Sequence, residues 1–372
     1  MTTLRVILDE MLGDGSVARY TEELTREIIR GAPRGCYVEG FVSASTEAEY
    51  AQILDRLPGL QVLHKSSLAS RELRAAWQHG FTRLPGTGMV HAPSPLAPLT
   101  RHDRLNNGDQ IVVTFHDALA WTSPDFLSPR AVTWYRAMAK RAQKYADAIV
   151  VPSHAVAEQL TELVDFGDRI RVISGAPSST FVVGSDAEER AAGLALPERY
   201  VLAMGGLEPR RGIDQLVRAM ATIDVALLVV GPTADDPALA TAVAEAGIPA
   251  ERVRGLGQLS DENIAVALSR ATVFAYPNLE EGFGMPMLEA LALGTPVVHS
   301  DAPALLELAA DAAVIVARED EAGYPERLAA GINSVLADAA FAERLRYAGM
   351  DRSRAFDWRT SAEKVWQLHA DL

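Results

Sequence analysis

The sequence predicts an α/β protein built from two doubly wound parallel-sheet domains that face a cleft. Three observations support this fold class. The chain has 372 residues, whereas single domains usually have about 100–200. Short apolar runs alternate with amphipathic stretches, which is typical of parallel strands joined by crossover helices. This series stops at residues 175–185, a segment rich in Gly, Pro and Ser that we interpret as a hinge, and then begins again.

The elements of the first half follow this alternation. An apolar run at 4–8 predicts the first strand, and a Gly-containing loop then leads into an amphipathic helix at 17–30. A second helical pattern spans 129–145. Further strands are predicted at 37–42, 61–63, 89–92, 111–115, 148–151 and 171–173. Together they predict a first domain over residues 1–180.

The second half repeats the pattern. Strands are predicted at 200–204, 225–230, 253–256, 273–276, 297–299 and 313–316, and helices at 213–221, 286–293 and 360–372. The predicted second domain covers 186–355, and residues 356–372 form a separate C-terminal segment. Doubly wound sheets bind ligands beyond the carboxyl ends of their strands. Functional residues are therefore expected in the loops that follow strands.

Composition excludes several classes of function. The formal charge is −14, of which −13 comes from residues 181–372, so a nucleic-acid-binding surface over the whole protein is not expected. Cys36 is the only cysteine, which excludes an intrachain disulfide and a Cys-based zinc site. No apolar run approaches the ~20 residues of a membrane span. Charges near the N-terminus argue against a signal peptide, so a cytoplasmic protein is expected.

Two groups of basic residues occur in the first half. The preferred interpretation is that they are solvated helix faces. The alternative is contact with anionic lipid or an acidic acceptor. The groups are Arg71, Arg74 and Arg83, and Arg130, Arg136, Lys140, Arg141 and Lys144.

The most informative segment is YPNLEEGFGMPMLEALALGT at 276–295. Pro286 suits the first turn of a helix, and Gly294 is a natural C-terminal stop. The glycines before Pro286 leave free amides at a helix N-terminus, which is an anion site. Glu281 and Glu289 flank it. Carboxylates beside a phosphate site suit the binding of hydroxyls, such as those of a sugar ring and a ribose.

This segment, E281-GFGMPML-E289, resembles the Glu-x7-Glu signature of glycosyltransferase family 4, retaining enzymes of the GT-B fold that belong to the group 1 glycosyltransferases. The resemblance implies that Glu281 contacts donor-sugar hydroxyls and that Glu289 holds the ribose. It places the amides of Phe283, Gly284 and Met285 against the sugar and the diphosphate. It also implies that the C-terminal helix packs back on the first domain.

A second segment, MGGLEPRRGIDQL at 204–216, resembles the Gly-rich turn of the same family, with Gly206 in the turn. The resemblance implies that Arg210 and Arg211 neutralise the donor diphosphate. The family more often has Lys at the second position, and the planar guanidinium of Arg alters the contact geometry there.

The first domain carries two further resemblances. IVVTFHDALAWTSPDFLSP at 111–129 resembles the family segment that ends a strand with His, which places His116 near the donor sugar and the acceptor. Asp117 and Trp121 are candidates for the acceptor pocket. The loop Gly13-Asp14-Gly15-Ser16 resembles the Gly-rich first loop, in which Gly15 lets the backbone approach acceptor or phosphates.

The predicted function is transfer of a hexose, with mannose favoured, from a nucleotide-diphosphate sugar to a glycan or lipid-linked acceptor. A lipid-linked acceptor would bring the protein to the inner face of the membrane. No cofactor and no metal are predicted, because no Asp-x-Asp motif follows a strand, and Asp235-Asp236 is interpreted as a surface loop. The nucleoside base is expected near residues 255–258.

Three alternatives remain open at the level of sequence. A relative of the same fold could act as a nucleotide-sugar epimerase or hydrolase. A non-enzymatic sugar-nucleotide-binding module is a second alternative. An NAD-dependent oxidoreductase is a third, because Gly13-x-Gly15-x-x-Ala18 with Glu39 formally fits the dinucleotide fingerprint. That fingerprint requires its first glycine at the strand end, whereas residues 9–12 intervene here.

Overall fold

The computed structural model describes residues 2–13, 15–84 and 86–372 of the chain. It divides into two compact units. The first unit consists of the chain up to Gly175 together with Asp357–Leu372, and the second unit is Ala176–Phe356. Each unit contains a parallel sheet with helices between its strands, so the predicted α/β class of doubly wound units is confirmed.

The described strands of the first unit form a seven-stranded parallel sheet. They are β1 (Thr2–Ile7), β2 (Cys36–Ala44), β3 (Leu63–Ala69), β4 (Met89–Ala92), β5 (Gln110–Thr114), β6 (Ala148–Val151) and β7 (Ile170–Val172). Their order is β3-β2-β1-β4-β5-β6-β7, so the direction of winding reverses between β1 and β4. The helices are α1 (Ser16–Arg30), α2 (Glu47–Arg56), α3 (Ser70–His79), α4 (Arg104–Asn107), α5 (Leu119–Thr122), α6 (Pro129–Tyr145) and α7 (His154–Leu163).

The second unit contains a six-stranded parallel sheet among its described residues. Its strands are β8 (Tyr200–Met204), β9 (Ala226–Val230), β10 (Val253–Gly257), β11 (Val273–Tyr276), β12 (Val297–Ser300) and β13 (Val314–Val316). Their order is β10-β9-β8-β11-β12-β13, and the winding reverses between β8 and β11. The helices are α8 (Ala187–Gly193), α9 (Ile213–Ala219), α10 (Pro237–Glu245), α11 (Asp261–Arg270), α12 (Met285–Ala292), α13 (Pro303–Ala309), α14 (Tyr324–Ala337) and α15 (Ala339–Ser353).

The last helix, α16 (Trp358–Asp371), belongs to the first unit. Asp357 caps it by accepting hydrogen bonds from the amides of Arg359 and Thr360. The indole of Trp366 donates to the carbonyl of Ile28 at the end of α1 (3.0 Å). The side-chain amide of Gln110 donates to the carbonyl of His369 (3.1 Å). These two contacts attach α16 to both a helix and a strand of the first unit.

Buried strands lie at or near their predicted positions. β4, β6, β8 and β11 and helix α6 have the predicted bounds. The predicted strand at 61–63 is wrong, because β3 runs over Leu63–Ala69. β3 is an edge strand whose residues alternate between half-buried and exposed, so it lacks the apolar run that marks a strand buried on both faces. Among the described residues, no helix is both long and apolar enough to cross a membrane.

Candidate functional site

The second unit brings two of the predicted motifs together at the point where its winding reverses. β8 and β11 are neighbouring parallel strands, with Val273 opposite Val201. The loop after β8 carries Arg210 and Arg211, and the loop after β11 carries Glu281. Loops from two strands that wind in opposite directions leave a crevice at the carboxyl edge of the sheet, which is where such sheets bind ligands.

The loop after β8 is shaped by two glycines. Gly205 has φ +128°, and Gly212 has φ +62°, both in the region that favours glycine. At Gly212 a Cβ would also lie 2.4 Å from the carbonyl oxygen of Pro277. Gly206, the predicted site glycine, lacks a positive φ, and the nearest atoms to a Cβ there would belong to the side chain of Glu208. The backbone requirement for glycine therefore falls on Gly205 and Gly212.

Glu281 is the best-supported carboxylate of this region. Its Oε2 accepts hydrogen bonds from the Tyr276 hydroxyl (2.8 Å) and from the Asn278 side-chain amide (2.8 Å). The Arg211 guanidinium lies 3.5 Å from the same oxygen. The Gly282 amide donates to Oε1 (3.2 Å). The sequence did not indicate a role for Tyr276 or Asn278, because Tyr276 is an ordinary strand end and Asn278 an ordinary loop residue in the sequence pattern.

Tyr276 can only serve Glu281 as a donor while its phenol keeps its proton. Burial, together with the adjacent Glu281 carboxylate, raises the pKa of Tyr276 well above its usual range. The phenol is therefore neutral at any physiological pH. Glu281 is held in one orientation, and its side chain remains 18% exposed, so a ligand can reach it.

The backbone of the loop after β11 is hydrogen-bonded to groups from neighbouring elements. The amide of Leu279 donates to the carbonyl of Arg210 (2.8 Å). The hydroxyl of Tyr324 donates to the carbonyl of Pro277 (3.0 Å). Ser300 and Arg318 donate to the carbonyls of Asn278 and Leu279. The glutamate and arginine loops are thus hydrogen-bonded to each other and to neighbouring elements at the sheet edge.

The two arginines differ in their environment. Arg211 is paired with Glu281. Arg210 is half-buried, and among the described residues no carboxylate lies within ion-pair distance of its guanidinium. A guanidinium that no carboxylate neutralises is suited to an anionic ligand. The two members of the predicted basic pair therefore differ in their contacts with carboxylates.

Helix α12 presents its N-terminus in the same loop. Gly284 has φ +94°, and a Cβ there would lie 2.6 Å from the side chain of Leu305. The first helical bond runs from the Leu288 amide to the Gly284 carbonyl (3.1 Å), so the preceding amides make no bond within the helix. The side chains of Phe283 and Met285 are buried, which leaves their amides as the groups that an anion can use.

Glu289 lies inside α12 and is fully buried. It is therefore not a solvated helix residue, and a carboxylate so far from water has a structural or ligand-binding role. The predicted base region, near Gly255 and Gly257, approaches the loop after β9, because a Cβ on Gly255 would lie 2.4 Å from the carbonyl of Thr233.

In the first unit, His116 follows β5, close to the reversal of winding between β1 and β4. Its Nε2 lies 2.7 Å from the carbonyl oxygen of Pro93, which follows β4. A carbonyl can only accept, so Nε2 carries the proton and Nδ1 is left as an acceptor. Burial lowers the pKa of His116, so the ring is neutral. The ring of Tyr20 packs edge-on against it, with centroids 4.8 Å apart.

The other predictions in this unit have mixed outcomes. Asp117 accepts a hydrogen bond from the Leu119 amide (3.0 Å) at the start of α5. Trp121 packs partly buried against the core. Gly15 has φ +95° with open space around its Cβ position, so it allows the chain to enter α1 rather than a close backbone approach. Asp14 of the same loop lies outside the described residues.

The acidic pair outside the motifs has a local role. Asp236 caps α10 by accepting from the amides of Ala238 and Leu239, and Asp235 accepts from the Thr233 hydroxyl (2.7 Å). Within the described ranges, no group of three or more His, Cys, Asp or Glu side chains could hold a metal ion.

Two parallel doubly wound units, with a basic turn and a helix N-terminus at the reversal point of one of them, define the architecture of a GT-B glycosyltransferase. Comparison with known families supports this class. Residues 185–352 match the family described as Glycosyl transferases group 1. Residues 17–176 match Glycosyltransferase Family 4. The two matches together span most of the chain, which belongs to the glycosyltransferases that these two family models describe.

Curated relatives include mannosyltransferases. The O-antigen chain mannosyltransferase B of Escherichia coli is 27% identical over 266 residues, which is 67% of this chain and 67% of that protein. The phosphatidyl-myo-inositol mannosyltransferase of Mycobacterium leprae is 35% identical over 176 residues, 44% of this chain and 43% of that protein. The second match spans less than half the length of its relative.

Solved structures share the fold over the whole chain. Sucrose-phosphate synthase from Thermosynechococcus elongatus has a TM-score of 0.75 at 23% identity, covering 100% of this chain and 99% of that one. Anabaena Alr3699/HepE in complex with UDP-glucose has a TM-score of 0.72 at 17% identity, covering 100% of both chains. At these identities the likeness establishes the fold.

Proposed function

We propose that this glycosyltransferase is a retaining enzyme that moves a hexose, mannose, from a nucleotide-diphosphate sugar to a hydroxyl of a glycan or lipid-linked acceptor. The observation that carries the proposal is the edge between β8 and β11. The loops that follow these two strands carry the guanidinium of Arg210, the first amides of α12 and the Glu281 carboxylate, which is held by four donors. The first two kinds of group suit a diphosphate, and the carboxylate suits sugar hydroxyls.

The roles follow from these environments. Arg210 and the amides of Phe283, Gly284 and Met285 stabilise charge on the departing diphosphate, which is the main electrostatic task of such a reaction. Glu281 accepts hydrogen bonds from donor-sugar hydroxyls. Arg211 positions Glu281 through their ion pair. Because these groups stabilise the charge of the departing diphosphate without a metal ion, we expect transfer to persist in EDTA.

The bond changes balance without a covalent enzyme intermediate. The acceptor oxygen attacks the anomeric carbon as the bond from that carbon to the β-phosphate oxygen breaks. The acceptor proton passes to the departing phosphate, and the products are a glycoside and a nucleoside diphosphate. His116 presents the Nδ1 lone pair as a hydrogen-bond acceptor for a sugar hydroxyl, and Glu289 accepts from the ribose.

The proposal for mannose is supported by the curated relatives, which include an O-antigen chain mannosyltransferase and a phosphatidyl-myo-inositol mannosyltransferase. A nucleotide-diphosphate donor is supported by a structural neighbour solved with UDP-glucose. A lipid-linked acceptor would bring the protein to the inner face of the membrane.

A panel of nucleotide sugars tests the donor. Thermal stabilisation by each of GDP-mannose, UDP-glucose and UDP-galactose is measured first, and we expect the largest shift with GDP-mannose. Turnover is then followed by proton NMR, and the new glycoside should have the anomeric configuration of the donor. An inverted product, or epimerised or hydrolysed donor in the presence of acceptor, would contradict the proposal.

A further inference from the structure

The ring of His116 has two kinds of contact within the first unit, one polar and one aromatic. Among the described residues, its hydrogen-bond partner is the Pro93 carbonyl, which accepts from Nε2 (2.7 Å). This bond fixes the tautomer, but the torsion that rotates an imidazole about its Cβ–Cγ bond has a broad energy minimum. The proposed function requires Nδ1 to face a sugar hydroxyl, so a second contact has to hold the plane of the ring.

The aromatic contact comes from Tyr20 on α1. The rings of Tyr20 and His116 meet edge to face, with centroids 4.8 Å apart and planes at 84°, which is a favoured geometry for aromatic pairs. Tyr20 is only 3% exposed, so the close-packed core around it prevents its ring from turning into solvent. The contact therefore restricts rotation of the His116 ring.

The hydroxyl of Tyr20 indicates that this residue acts through its shape and not by transferring a proton. Burial raises the pKa of the phenol above its usual range, and the nearby Thr114 hydroxyl opposes this shift only in part. Thr114 is the last residue of β5, two positions before His116. The phenol therefore stays neutral, and its hydroxyl interacts with the strand that leads to His116.

Trp358, the first residue of α16, contacts the same tyrosine ring. The centroids of Trp358 and Tyr20 are 5.5 Å apart, and their planes lie at 69°. The start of α16 is fixed in two ways, because Asp357 caps the helix and the Ser361 hydroxyl donates to the Ser174 carbonyl (2.8 Å). The C-terminal helix therefore holds a buried indole against the ring of Tyr20.

We infer that Tyr20 is a positioning residue for His116 and that Trp358 supports Tyr20 from the C-terminal helix. The three rings form a series of contacts from α16 through α1 to the loop after β5. The inference rests on the proposed function, which gives His116 its contact with a sugar hydroxyl. It deepens that function by naming two residues on which the orientation of the imidazole depends.

Substitutions of Tyr20 test whether its ring or its hydroxyl matters. Tyr20→Leu removes the ring, and kcat should fall by about 10–100-fold, because small displacements of a catalytic group cost that much. The Kd of free nucleoside diphosphate should stay unchanged. Tyr20→Phe keeps the ring and should retain kcat within about threefold. Phe41→Leu, the control, removes a buried ring that packs on Trp77 in the same unit, and it should lower the melting temperature without lowering kcat.

A double-mutant cycle tests whether Tyr20 acts through His116. In the His116→Ala background, Tyr20→Leu should change kcat by less than about twofold, because no imidazole is left to position. All variants are assayed below the temperature at which any of them begins to unfold. A loss in this background as large as in the unmodified protein would mean that Tyr20 supports another group, and the inference would be wrong.

Two tryptophans of α16 form a matched pair for the second half of the inference. Trp358→Leu removes the indole that contacts Tyr20, and it should lower kcat by about 3–10-fold. Trp366→Leu removes an indole that instead donates to the carbonyl of Ile28 (3.0 Å), so it should lower the melting temperature and leave kcat unchanged. Equal losses of kcat in the two variants would overturn the specific role of Trp358.

The imidazole can be observed directly by nitrogen NMR on protein labelled at histidine, with the His116 signals assigned from His116→Ala. The unmodified protein and Tyr20→Phe should show a neutral ring protonated at Nε2. In Tyr20→Leu water reaches the ring, so its pKa should rise towards about 6.5. The Glu10 carboxylate, the charged group that acts on this ring, favours the same change. A His116 signal that Tyr20→Leu leaves unaltered would contradict the positioning role.

The two proposals fail in different ways. If the unmodified protein neither binds nor turns over a nucleotide sugar, the proposed function is wrong and the inference fails with it. If His116→Ala keeps full kcat, the role proposed for His116 is wrong, and so is the inference. If His116→Ala is impaired while Tyr20→Leu is fully active, the proposed function stands and Tyr20 has no positioning role.

Discussion

The carboxyl edges of the two sheets share a topology and differ in how their polar groups are satisfied. In the second unit, Glu281 has four donors, and the loops after β8 and β11 are hydrogen-bonded to each other. In the first unit, the buried Asp9 carboxylate accepts from Ser43 and lies beside a cavity of about 680 Å³. The edge of the second unit is thus the braced edge, because its carboxylate is held by donors from four residues, whereas Asp9 is held by one.

This difference bears on the proposed transfer. A nucleotide diphosphate carries fixed charge, and groups held in place stabilise a transition state without reorganisation. We therefore expect turnover to depend most on the braced edge of the second unit. The first three predictions below test residues of that edge, and the fourth compares one buried histidine from each unit.

The braced edge depends most on the charge of Glu281. Glu281→Gln keeps the shape and removes the charge that Tyr276, Asn278 and Arg211 surround. We expect kcat to fall by about 100-fold or more, while binding of free nucleoside diphosphate, measured by calorimetry, barely changes. Glu280→Gln, one residue earlier in the same loop, should leave both quantities unchanged. Loss of diphosphate binding in Glu281→Gln would show that Glu281 belongs to the phosphate site.

The two arginines should separate binding from turnover. Arg210→Ala removes the unpaired guanidinium, so the Kd of free nucleoside diphosphate should rise by about 10–100-fold, the value of a charged hydrogen bond. Arg211→Ala frees Glu281 instead, so kcat should fall with a smaller change in Kd, and Arg211→Lys should restore part of the turnover. Calorimetry and steady-state kinetics on the three variants decide this. Equal effects of the two alanine variants on Kd would contradict the proposed difference between Arg210 and Arg211.

Substitution of Glu289 tests whether this buried carboxylate binds the ribose. If it accepts from ribose hydroxyls, Glu289→Gln should weaken free diphosphate and donor sugar alike, by about 2 kcal/mol or roughly thirtyfold. Glu245→Gln, on the exposed side of α10, is the control. Unchanged affinity combined with a lower melting temperature would mean that the carboxylate serves only the fold.

Each unit also contains a buried histidine on one of its strands. The contributions of these two histidines to folding stability should depend on pH in the same way. Burial lowers the pKa of His91 and that of His299 to about 4. Because the unfolded chain takes up protons near pH 6.5 and the folded protein does not, each group costs stability as the pH falls from about 6.5 towards 4. At pH 5.5 the loss from one such group is about 1–1.5 kcal/mol.

Urea unfolding at pH 7.5 and 5.5 measures this loss. His91→Leu should reduce the difference between the two pH values by about that amount, and His79→Leu, on the exposed face of α3, should not. His369, whose ring lies 5.8 Å from that of His91, also has a lowered pKa through burial, so the double variant should flatten the profile further. A profile that His91→Leu leaves unchanged would contradict the assignment.

Much of the fold follows from local chemistry in the chain. Strands buried on both faces, such as Tyr200–Met204 and Val273–Tyr276, are continuous apolar runs, and their bounds are predicted correctly. Pro286 in the first turn of α12 and Gly294 after its end, with φ +74°, agree with the predicted helix stop. The edge strand β3 and the short helices were not predictable in this way, because their residues alternate polar and apolar without one dominant period.

The pattern of apolar runs predicts the two doubly wound units, the Glu281–Glu289 segment indicates the glycosyltransferase class, and the motifs show which loops carry charge. How those charges pair depends on the folded arrangement of the loops. Arg210 and Arg211 are indistinguishable in the sequence, yet one contacts Glu281 and the other does not. Asp9 and Ser43 carry no motif, and they are hydrogen-bonded only because β1 and β2 lie side by side. Pairing depends on distances between residues far apart in the chain, and local propensity contains no information about them.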